Sequence, residues 1–134
     1  GRASGPEPLS RLHDFCQKTI LNSVGKKLRP IQCHDIACMV GEIVMVGGFR
    51  RAALISISDP DDVEMRDAKN WSLGDFPKCR YMANNSAYWE EKPSQELFDA
   101  EWQALVASGS GERGFTIDSW HRRANRPKGM VRTN

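Results

Sequence analysis

Cysteine and histidine supply most of the chemistry open to this chain. His13 and Cys16 lie three residues apart, and Cys33, His34 and Cys38 follow. Zinc takes such side chains in tetrahedral groups of four. His13 and Cys16 share one helix face at that spacing. Cys33 and Cys38, five apart, point to opposite faces of a regular strand, which argues against a zinc site built from His13, Cys16, Cys33 and Cys38. The plainer role for Cys16 and Cys38 is as small buried residues. No cofactor is expected.

Cys79 stands between Lys78 and Arg80, and adjacent cations can lower a thiol pKa. Paired with His121 it is formally a nucleophile, although no protease signature surrounds either residue. Asp59, Asp61 and Asp62 offer hard oxygen ligands for a divalent cation. The same stretch, DPDDVEM, reads more completely as a helix start, with Asp59 as cap and Pro60 in the first turn. No glycine loop has the spacing that cradles phosphate. Asn84-Asn85-Ser86 matches a glycosylation acceptor, which matters only in a secreted protein.

Cations beside aromatics form the other candidate set. Arg50 and Arg51 follow Gly47-Gly48, and Lys78, Arg80, Tyr81, Tyr88 and Trp89 surround Asn84-Asn85. Single-stranded nucleic acids are held in this way, bases stacking on rings while cations meet phosphates. The C-terminal stretch adds Arg122, Arg123, Arg126, Lys128 and Arg132 with no acid after Trp120, enough for sequence-independent backbone contacts.

These residues need elements to position them. Leu9, Leu12, Cys16, Ile20 and Val24 recur at helical spacing and predict a helix, with Pro8 near its start and Gly25 past its end. Pro30 then breaks the helical pattern. Residues 36–46 (IACMVGEIVMV), with Glu42 the sole charge, read as a central strand buried on both faces. Gly47-Gly48 is a hairpin turn, and 49–58 is the returning strand. KCRYMANNSAYWEE reads as a second hairpin turning at Asn84-Asn85. Ser94 caps a helix over 94–107 that Gly109 ends, SGSGERG is a flexible linker, and FTIDSW is a last strand.

The chain has 134 residues, 40% hydrophobic and 27% charged, with a net charge of +2. That suits one folded domain and is too mild to make the whole chain a nucleic-acid binder. Residues 1–8 read as a flexible lead or cloning remnant, 9–120 as a single α+β domain and 121–134 as a basic flexible tail. No apolar run is long enough to span a membrane, and four cysteines are too few for a disulfide framework, so an intracellular location, nuclear or cytoplasmic, is expected.

PIQCHDIACMVGEIVMVGG followed by RAALISISDPDD resembles the entry to an oligonucleotide/oligosaccharide-binding (OB) fold, over residues 28–62. The resemblance implies an OB-like barrel. The fold expected is therefore α+β with a mainly antiparallel sheet, an N-terminal helix and a late amphipathic helix. The function expected is a non-catalytic binding module in a nucleic-acid-handling complex, with single-stranded nucleic acid favoured over duplex. The alternatives are a protein–protein interaction or viral-type structural subunit, forming a homo-oligomer or binding a partner protein, and a small Cys/His-dependent enzyme.

Overall fold

The computed structural model describes residues 5–45 and 53–117. They fall into two compact units: one comprises the residues up to Leu54 together with Phe76–Ala83, the other Ile55–Asp75 and the residues from Asn84 onward.

The first unit is helical. Helix α1 spans Glu7–Leu21, with a proline in its first turn, Glu7 near the positive end and Lys18 near the negative end of its dipole. Helix α2 spans Pro30–Ile43, which corrects the expectation of a buried strand over 36–46. Pro30 starts this helix rather than breaking one. It holds the first helical position after an extended Arg29 (φ −77°, ψ 154°), and the Arg29 N–H donates to Gln32 Oε1 at 2.9 Å. The buried residues Ile31, His34, Cys38 and Gly41 step by three and four along one face. A 3₁₀ turn over Lys78–Met82 belongs to the same unit. Cys38, Cys79 and Ala83 form its core, with Phe15, Met39 and Leu54 packed against them. Gly41 lets this packing close, because a Cβ there would lie 3.3 Å from Met82 Cβ.

The second unit carries the sheet. Strand β1 is Leu54–Ser58, and the short helix α3, Val63–Arg66, follows. Its cap is Asp62, whose Oδ1 accepts from the Met65 N–H at 3.0 Å, rather than Asp59. A 3₁₀ turn covers Trp71–Leu73, strand β2 is Ala83–Trp89, helix α4 is Gln95–Ser108 and strand β3 is Gly114–Ile117. Helix α4 has the ends its sequence announces: Ser94 Oγ accepts from the Leu97 N–H, and Gly109 adopts the left-handed conformation at φ 68°.

Among the described residues the sheet has the order β1-β2-β3, all parallel, and is not closed into a barrel. This overturns the mainly antiparallel, OB-like arrangement. Asn84-Asn85 is not a turn but the start of β2, and the chain returns to the sheet through α4, the helical crossover that parallel strands require. The expected hairpin turn at Gly47-Gly48 lies outside the described residues. No described helix is long and apolar enough to cross a membrane.

Candidate functional site

Strands β2 and β3 run in register, Ser86 opposite Gly114, Ala87 opposite Phe115, Tyr88 opposite Thr116 and Trp89 opposite Ile117. Alternation then sorts their side chains onto two faces. Asn85, Ala87, Trp89, Arg113, Phe115 and Ile117 share the face that α4 covers, where the Phe98 and Phe115 rings meet at 5.1 Å. Asn84, Ser86, Tyr88, Gly114 and Thr116 share the other, and none of them is charged.

The covered face holds a buried polar assembly. Arg113 is 2% exposed. Its Nε and Nη2 donate to the two oxygens of Glu101 on α4, at 3.1 and 3.2 Å. Its remaining N–H groups reach Ser58 Oγ (2.9 Å), Asp59 O (3.0 Å) and Pro60 O (2.5 Å) at the end of β1. A guanidinium has five donors, and all five are engaged. Arg113 is therefore a clamp on β1, α4 and β3, with nothing left for an anion.

Beside it, Lys69 Nζ lies 2.6 Å from Glu112 Oε2, which also accepts the Asn85 N–H at 3.1 Å. Among the described residues, Asn85 Oδ1 and Trp89 Nε1 are buried without a hydrogen-bond partner. The Ser108 hydroxyl donates to Leu105 O at 2.8 Å and lies 3.2 Å from Glu112 O. The stretch SGSGERG is thus an ordered polar junction, not the flexible linker its composition implies. Composition could not have picked out Arg113 or Glu112; the signal available was a charge pair following small residues directly before a strand.

The sequence-derived candidates separate. Arg80 is taken up by Asp35 in a two-point ion pair, Nε to Oδ1 at 2.5 Å and Nη2 to Oδ2 at 2.8 Å. Cys79 is buried, and its thiol pKa is pushed up to about 11, chiefly by burial and next by the negative charges of Asp35 and Glu42. The lowering expected from Lys78 and Arg80 is reversed, because desolvation of a thiolate outweighs one nearby guanidinium. Cys38 is fully buried with its Sγ 3.5 Å from His34 Nε2, Cys33 is exposed, and His13 is exposed on α1. Among the described residues no three His, Cys, Asp or Glu side chains gather into a metal-holding group, so His13, Cys16, Cys33 and Cys38 are not brought together. Tyr81 is exposed and packs on Phe76, whereas Tyr88 and Trp89 fall on opposite faces of β2. Arg50, Arg51, Arg122, Arg123, Arg126, Lys128 and His121 lie outside the described residues.

Comparison with known proteins gives this architecture a context. The chain is similar to adenosylcobalamin-dependent ribonucleoside-triphosphate reductases: 32% identical over 116 residues to that of Euglena gracilis (86% of this chain, 15% of that protein). It is 30% identical over 127 residues to that of Lacticaseibacillus paracasei (94% and 16%). It is 34% identical over 89 residues to that of Levilactobacillus brevis (64% and 11%). The chain thus spans between 11% and 16% of the length of these relatives. No protein-family model matches it, and no solved structure does.

These relatives overturn three expectations. They are named as enzymes, against a non-catalytic module. Their names concern ribonucleotide reduction, against nucleic-acid binding or an OB-like role. They are named as adenosylcobalamin-dependent, against the absence of a cofactor.

Proposed function

We propose that this chain is a segment of an adenosylcobalamin-dependent ribonucleoside-triphosphate reductase. The observation that carries the reading is the extent of the likeness, 30% identity along 94% of the chain. The parallel β2–α4–β3 crossover also supports it, because such units build the layered cores on which many enzymes place their sites.

Adenosylcobalamin supplies radical chemistry when bound. Holding it would call for a broad surface against the corrin. His34 is 6% exposed with its ring against Cys38, and His13 stands exposed between Leu12 and Asp14 on the outside of α1. Neither histidine stands on such a surface. On this reading the cofactor is held by other parts of the enzyme, and the segment supplies framework and a polar sheet face.

The test is turnover. The full polypeptide that carries this chain, supplied with adenosylcobalamin, a dithiol reductant and each ribonucleoside triphosphate in turn, is expected to yield the 2′-deoxynucleotide. Absence of product from all four, with the protein folded, overturns the reading.

A further inference from the structure

We propose that the outward side of α4, with the turn over Trp71–Leu73 beside it, is a docking face for another segment of the same longer polypeptide, one that is apolar and bordered by lysine or arginine. The inference rests on the reductase reading, in which this chain is one part of a longer polypeptide, and adds which surface another part covers.

A helix lying on a sheet turns its apolar side inward and carries polar residues outside. The inner side of α4 conforms: Phe98 meets Phe115, and Glu101 holds Arg113. The outward side steps through Gln95, Asp99, Trp102 and Val106, at spacings of four, three and four. Its first half is polar, Gln95 Nε2 donating to Asp99 Oδ1 at 2.8 Å. Its second half departs, since Trp102 is 51% exposed and Val106 63%. The turn over Trp71–Leu73 extends this apolar stretch. Ser72 Oγ donates to Ala107 O at 2.9 Å, which fixes the turn beside the last turn of α4, and Leu73 is 71% exposed. Single exposed apolar residues are ordinary, whereas several held together mark a contact surface. Trp102 has the form of an anchor. Its ring stacks on Phe98, with 6.3 Å between centroids and 14° between planes, and about half of its surface is open. A ring held in this way loses little side-chain freedom when it is covered.

Charge and chain length select the occupant. Asp75 follows Leu73 by two residues, and Glu96 and Asp99 precede Trp102 on α4; all three are exposed. Neither 70–77 nor 94–109 contains a lysine or arginine. A second copy of the chain, meeting this face with the same face, would set acid against acid. A segment with cations at its border would meet those acids favourably. The chain spans between 11% and 16% of the length of its relatives. On the reductase reading, most of the polypeptide able to supply such a segment therefore lies outside it.

The experiment uses the full polypeptide with the photoreactive p-benzoylphenylalanine in place of Trp102, and in a second protein in place of Leu73. The thermal midpoint of each is the fold control. After irradiation the cross-linked peptides are identified by mass spectrometry, and reductase turnover is measured alongside. The expected product is a cross-link within one polypeptide, to a peptide outside these 134 residues. Asp75→Lys with Asp99→Lys is expected to lower its yield at least about twofold, because the cations of the occupant are then repelled. Cross-links confined to the 134 residues, cross-links between two copies, or no cross-link at all overturn the inference, as does a yield that the charge reversal leaves unchanged. Should the protein altered at Trp102 fail to fold, the one altered at Leu73 decides. A polypeptide that turns over normally but gives only internal or intermolecular cross-links defeats this inference alone. The expected cross-link in a polypeptide that makes no deoxynucleotide defeats the reductase reading alone.

Discussion

Arg113, at the entry to β3, and Glu101, in the middle of α4, face each other through two parallel N–H···O bonds with almost no solvent contact; their side chains are 1% and 9% exposed. Twelve residues separate them in sequence. Their pairing joins the crossover helix to the strand it delivers, and the remaining donors of Arg113 tie both to the end of β1.

Removing one member of such a pair leaves a buried charge without a partner. Arg113→Met is expected to destabilise the folded chain by about 3–5 kcal/mol. The double variant with Glu101→Leu should recover a substantial part of that loss, because both charges are then gone. Urea titrations of the two variants and the parent measure this. A single variant as stable as the parent rules out the clamp.

The Arg80–Asp35 pair makes a separate prediction in the first unit. Both side chains are mostly buried, at 14% and 13% exposure, and the contact is two-pointed. Arg80→Ala should cost about 2 kcal/mol, as expected for hydrogen bonds between charged groups. The pair is largely shielded from screening, so the loss should persist at 0.5 M salt, a concentration chosen at roughly three times the physiological ionic strength. A loss that vanishes in salt would mark the pair as a surface contact.

Thiol chemistry separates the cysteines. Exposed Cys33 should react with a disulfide reagent at neutral pH, whereas buried Cys38 and Cys79 should react only on unfolding. The Cys79 pKa is raised from 9.0 to about 11, so the folded state favours the neutral thiol. The contribution of Cys79 to stability is therefore complete below about pH 9 and is lost as pH rises toward about 11. Relative to a Cys79→Ala variant, the parent should lose stability across that interval; parallel pH curves for the two proteins would contradict the assignment.

Gly114 and Ser86 should be coupled. Adding a Cβ at Gly114 brings it to 3.1 Å from Ser86 Oγ, closer than nearly all such contacts, so Gly114→Ala should destabilise by about 1 kcal/mol. In a Ser86→Ala background the penalty should shrink, and a double-mutant cycle should return a coupling of at least about 0.5 kcal/mol. Additive effects would place the two residues out of contact.

Local chemistry made part of this architecture legible. Ser94, the apolar steps at Phe98, Trp102 and Leu105, and Gly109 announce α4 because capping and periodicity act over a few neighbouring residues. The same applies to α1, to the 54–58 part of the strand expected over 49–58, and to the 115–117 part of the strand expected over FTIDSW. Residues 36–46 misled because a run of apolar residues is compatible with a buried helix or a buried strand. The deciding features were Pro30 at the first helical position and the small buried steps at His34, Cys38 and Gly41.

Long-range relationships lay beyond such reading. That β2 and β3 are parallel, that Asn84-Asn85 begins a strand instead of turning, and that Cys79 is desolvated all depend on what packs alongside. Above all, the engagement of Arg113 depends on Glu101, Ser58, Asp59 and Pro60 arriving from three other parts of the chain. The amino-acid order carries the local preferences of each segment. Strand direction, burial and the pairing of distant charges are set only when the segments of each unit pack together, because their energies belong to contacts between residues rather than to residues.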